Sequence, residues 1–149
     1  MYSTGSWTIA GVLLLAGGGD IADAIKKDRA ALQGTWKVVA SEDNGEKVPA
    51  EDIKSLFLIF KGDAIYIREG GKAEERFAFL LDPTRKPKEI DLILRVGAKK
   101  GHADRAIYQL EGDSLRICIQ SNKDKARPRD FVSRAGSGVS LVVMERTKE

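Results

Sequence analysis

Leu56-Phe57-Leu58-Ile59-Phe60-Lys61-Gly62-Asp63-Ala64-Ile65-Tyr66-Ile67-Arg68-Glu69 decides the fold class. Two runs rich in β-branched and aromatic residues flank Gly62-Asp63, a dipeptide suited to a two-residue hairpin turn. Folding there sets Phe60 against Ile65 and Leu58 against Ile67. Opposed residues of an antiparallel pair share one face, so one register brings apolar side chains together in both pairs. The same device recurs at Gly112-Asp113, where residues 105–111 and 114–120 pair Leu110 with Leu115, Tyr108 with Ile117 and Ala106 with Ile119. Two hairpins with independent, self-consistent registers make the chain all-β.

Outward from these hairpins, further strands are expected at residues 35–41, 73–81, 90–96 and 139–146. In the first, Trp36, Val38 and Ala40 share one face and Lys37, Val39 and Ser41 the other. Between residues 69 and 73, a two-residue turn would send Phe77 and Phe79 outward. A three-residue loop with a left-handed glycine sets Ile65 against Phe77 instead, and is the form expected. Pro83 and Pro87 exclude a central strand over residues 82–89. Residues 43–54, 97–104 and 121–138 read as loops. Ile21, Ala24, Ile25 and Leu32 mark a short amphipathic helix over residues 21–32, ended near Gly34.

Composition bounds the function. The chain has 149 residues, 42% hydrophobic and 32% charged, which suits one globular domain. A net charge of +3 is too small to indicate nucleic acid by itself, and no aromatic stacking motif accompanies it, so no nucleic-acid partner is expected. Cys118 is the only cysteine, which excludes an internal disulfide and reads as an inert strand thiol. His102 is the only histidine, too little for a metal site, and no strained nucleophile turn accompanies it. The chain is therefore read as no enzyme, with no cofactor and no metal. Any peroxide- or haem-handling chemistry would need His102 at the pocket.

Residues 1–24 read as a signal-peptide-like leader or a disordered tail, and residues 25–149 as a single domain. The apolar run over residues 9–16 is too short to span a bilayer and is followed by small residues, as in an export signal, although no Lys or Arg precedes Lys26. An exported, periplasmic or extracellular protein is expected, or a cytoplasmic one if the start is misassigned.

Six motifs in order carry a family resemblance. They are Leu32-Gln33-Gly34-Thr35-Trp36-Lys37-Val38-Val39, Phe60-Lys61-Gly62-Asp63, Leu81-Asp82-Pro83-Thr84, Tyr108-x-Leu110-x-Gly112-Asp113, Arg127-Pro128-x-x-Phe131 and Gly136-Ser137-Gly138. Over residues 30–147 the chain resembles an uncharacterised lipocalin-like domain abundant in planctomycete bacteria. The resemblance implies an eight-stranded antiparallel up-and-down β-barrel, with the short helix closing one end, and often export. It implies no activity and carries over no catalytic residue. From the broader lipocalin resemblance, Gly34 and Trp36 open the first strand at the closed end, and Arg146 packs over Trp36.

Such a barrel either holds a small ligand or is filled by side chains. Leu58, Phe60, Ile67 and Phe77 are candidate ligand-lining residues, as are Phe79, Leu92, Tyr108 and Met144. Chain direction puts the long loops at the open end, where Lys99, Lys100, Arg127 and Arg129 would form a basic rim. Glu75 points inward there. An apolar interior below a basic rim suits a small apolar or anionic amphiphilic molecule, such as a fatty acid. The alternative is a filled barrel serving as an interaction or structural module. It gains if Val39, Ile59, Tyr66, Ile93, Ile107 and Val143 form one outer patch.

Overall fold

The computed structural model describes residues 8–70, 72 and 74–148, with side chains from Gly19 onward. Helix α1 (Thr8–Leu32) leads into strand β1 (Gly34–Asp43). A two-residue strand β2 (Glu46–Lys47) and a short helix α2 (Ala50–Ile53) follow. Then come β3 (Leu56–Lys61), β4 (Ala64–Glu69), β5 (Glu75–Asp82) and β6 (Lys88–Leu94). Strands β7 (Ala103–Glu111), β8 (Ser114–Gln120) and β9 (Val139–Thr147) complete the chain. Successive strands pair antiparallel, and β1 pairs with β9, so β1 and β3–β9 close an eight-stranded barrel. The short β2 folds back on the far end of β1.

The expected registers are present: Phe60 faces Ile65, Leu110 faces Leu115, and Ile65 faces Phe77. Gly70 is left-handed, with φ 56°. Gly71 and Ala73 of that loop lie outside the described residues.

Beyond β2 and α2, which lie within the loop expected over residues 43–54, and shifts of up to two residues at the ends of β5 and β6, four expectations change. Helix α1 starts at Thr8 rather than near residue 21; no proline interrupts the preceding stretch, and the helix runs on through Gly17-Gly18-Gly19 despite their low helix propensity. Residues 8–24 of the supposed leader are thus helical, and residues 1–7 lie outside the described residues. Strand β1 carries a bulge at Val39, so Ala40 pairs with outward Val143 while Ser41 joins inward Val142. Strand β7 begins at Ala103, two residues before the expected start, and its inward alternation runs back from Tyr108 through Ala106 to Asp104.

The fourth change concerns residues 121–138. They form a strap down the outside of the barrel rather than a loop over its open end. Ile107, Cys118, Val139 and Leu141 are buried beneath it, with Phe131 and Val143 packed against them. Arg116 lies over the Phe131 ring, 4.6 Å from its centre. Ser133 Oγ accepts a hydrogen bond from Gly45 N at 2.8 Å and donates one to Val139 O at 2.7 Å. At Gly45 (φ +86°) a Cβ would come within 2.4 Å of Ala135 N, so only glycine permits this approach. With Ile107 buried and Val143 packed under the strap, the six outward apolar residues do not form one exposed patch.

Candidate functional site

The barrel interior divides into two halves. At the closed end, Trp36, Phe60, Phe79, Tyr108, Leu115 and Leu32 are almost wholly buried. Phe60 and Phe79 meet edge to face, with ring centres 5.4 Å apart. Arg146 stands over Trp36 at 4.3 Å, as the register that pairs the two residues requires. Its guanidinium donates to Gln33 O at 2.7 Å and Ala31 O at 2.6 Å, satisfying carbonyls at the C-terminus of α1, where positive charge is favoured. Gly34 (φ +119°) passes directly beneath; a Cβ there would lie 3.2 Å from Arg146 Nη1.

Two more contacts dock α1 onto this end. Gln33 clasps the β3–β4 turn, accepting from Gly62 N at 2.7 Å and donating to Gly62 O at 3.0 Å. Asp28 Oδ2 accepts from Tyr108 Oη at 2.7 Å and Lys88 Nζ at 2.8 Å. Burial, and then the bond to the Asp28 carboxylate, hold the Tyr108 hydroxyl well above its ordinary value.

The other half is hollow. A cavity of about 190 Å³ is walled by Leu58, Ile67, Phe77, Leu92, Val142 and Met144, among other apolar side chains. Its polar lining is Asp104, Ser121 and Ser140. Ser140 Oγ donates to Asp43 Oδ1 at 2.6 Å. Beyond it a wider opening of about 650 Å³ is bordered by Glu75, Lys99, Lys100 and His102, and shares Phe77, Asp104 and Ser121 with the cavity.

Of the candidate lining residues, Leu58, Ile67, Phe77, Leu92 and Met144 border this cavity. Phe60, Phe79 and Tyr108 do not; they belong to the packed end, where the converging strands and α1 leave no space. Of the candidate rim charges, Glu75, Lys99 and Lys100 are at the opening. Arg127 and Arg129 are not, because the strap carries them down the outer wall. Arg127 donates to Ala106 O at 2.9 Å, Ile90 O at 3.2 Å and Asp91 Oδ1 at 2.7 Å. Arg129 borders an outer cleft with Arg85 and Lys86. The opening therefore has mixed charge rather than a basic rim.

The sequence reading leaves Asp104 near His102 in the loop over residues 97–104 rather than inside the barrel. The alternation Tyr108–Ala106, continued one more step, would have placed it inside. His102 does reach the opening, its Nε2 2.9 Å from Asp104 Oδ1. Among the described residues no hydroxyl or thiol is hydrogen-bonded to it. Cys118 is buried on the outer wall beneath the strap, and burial raises its thiol pKa. Among the described residues, no group of three or more His, Cys, Asp or Glu side chains is arranged to hold a metal. None of their helices is long and apolar enough to cross a membrane.

The geometry defines the class: a closed eight-stranded antiparallel β-barrel, sealed at one end by a helix and an Arg–Trp stack and hollow at the other. No family model, curated protein or solved structure matches the chain.

Proposed function

We propose that this protein is a lipocalin-like binding barrel that takes up a small apolar molecule in its open half and performs no chemistry on it. The observation that carries this reading is the apolar cavity of about 190 Å³ lying next to an opening. A dry apolar cavity of ~150 Å³ is enough to take up benzene, so a single ring or a short chain fits here. A long fatty-acyl chain would have to extend through the opening. An anionic head has less support than the sequence implied, since two of its four cations lie elsewhere and acidic groups share the opening with the other two. The Gly34-x-Trp36 entrance and its Arg146 partner support the lipocalin-like resemblance. The apolar run ahead of the barrel supports export. The interaction-module alternative loses support because the strap covers part of its proposed patch.

Native mass spectrometry of the protein purified from its own host tests the reading. An added mass that disappears on denaturation is the expected result. A bare protein mass, together with no chemical-shift change of Leu58, Ile67 or Met144 methyl groups on adding benzene or hexanol, would overturn it.

A further inference from the structure

Asp104 is out of place in the wall it belongs to. It opposes Leu92 across the β6–β7 pair and shares that residue's inward face. Its side chain is only 18% exposed, and its Oδ1 atom is fully buried. Among the described residues, no hydrogen-bond donor is aligned on that oxygen. His102 Nε2 is 2.9 Å from it, an ion pair when the ring is protonated, and that oxygen has no accessible surface of its own. What a ligand can reach is the part of the carboxylate that stays exposed, and a carboxylate set in a mostly apolar wall is costly unless it is paired.

The surroundings say what that partner is. Asp104 lies on the wall common to the cavity and the opening, where the head of a molecule with its apolar body inside would rest. The two lysines border only the outer opening. Asp43, already bonded to Ser140, and Glu75 add negative charge around this end of the barrel. A carboxylate or phosphate head at that wall would meet the Asp104 carboxylate, with His102 beside it and the two lysines only on the outer opening. A protonated amine brings hydrogen-bond donors and the opposite charge.

Resting on the binding reading above, we propose that Asp104 anchors the head group of the barrel's ligand, and that this head is an ammonium group carried on a short apolar body. Asp104 is the residue that selects the head, while the cavity wall accepts the body without regard to it.

Three probes with one tail separate these roles: hexylamine, hexanol and hexanoate, titrated into the full-length protein near neutral pH by methyl-detected NMR. Hexylammonium is expected to bind about tenfold or more tighter than hexanoate, the range of one charge-assisted hydrogen bond. Asp104→Asn should remove most of that preference and leave hexanol within about twofold, while Asp104→Glu should retain part of it. Equal binding of all three heads, or a preference for hexanoate, overturns the role of Asp104 and leaves the binding barrel standing. Failure of all three to bind overturns both. The wild-type comparison decides the question even if Asp104→Asn does not fold.

Discussion

The closed and open halves of this barrel are built from the same strands, yet they are organised differently. At the closed end, aromatic side chains interlock, α1 is docked through Gln33, Asp28 and Leu32, and buried polar groups such as Tyr108 Oη and Trp36 Nε1 have partners. At the open end, aliphatic side chains line a void, and a buried carboxylate oxygen lacks an aligned donor. One end gains its stability from packing density. The other gives up packing for space and sets a carboxylate in its wall, as a binding site commonly does.

The sharpest way to break this contrast is to truncate one side chain in each half. Phe79→Ala should cost about 3–5 kcal/mol in urea unfolding, because the packed end cannot collapse around the loss. Leu58→Ala, half-buried beside an existing void, should cost about 1–2 kcal/mol. Equal costs would mean that the halves do not differ energetically.

Enlargement should reverse the order of tolerance. Leu115→Phe, in the packed end, is expected to lose about 1–3 kcal/mol through overpacking. Val142→Phe, pointing into the void, should change stability by less than about 1 kcal/mol while abolishing uptake of hexanol. A large destabilisation by Val142→Phe would show that the space is not available to a side chain, and therefore not to a ligand.

The smallest effect concerns pH. Folding holds the Tyr108 hydroxyl protonated above its ordinary value of 10.0, through burial and then the Asp28 carboxylate. The folded state therefore keeps a proton that the unfolded chain releases. This contribution is complete below pH of about 10 and is lost progressively as pH rises further. Tyr108→Phe should lower stability by about 1 kcal/mol at neutral pH and flatten the alkaline fall, as read from urea midpoints across pH 8–11. An unchanged alkaline slope would show that Tyr108 is not locked to the helix in solution.

Much of the architecture could be read along the chain. The registers around Gly62-Asp63 and Gly112-Asp113 were legible because a period of two and a turn dipeptide are local signals, and an apolar match checks them without any distant information. The Trp36–Arg146 contact followed once the first and last strands were neighbours. The bulge at Val39 was not legible, since an extra residue in a strand leaves no mark in the alternation until the partner strand is known. The site was read less well. Phe60, Phe79 and Tyr108 share the inward face with Leu58 and Phe77, and facing inward does not say whether a residue fills the barrel or borders a space. Arg127 and Arg129 were assigned to the opening because an irregular segment carries no periodicity from which to read its course.

The sequence by itself therefore determined most of the strands, the hairpin pairings and the faces of the residues around those turns, because these depend on neighbours one turn or one hairpin away. Only the tertiary structure decided that one half is solid and the other hollow, that the strap runs down the outer wall, and that Asp104 stands inside beside His102. Those outcomes depend on how the summed side-chain volumes compare with the space the closed barrel encloses, and on contacts between segments far apart in the chain.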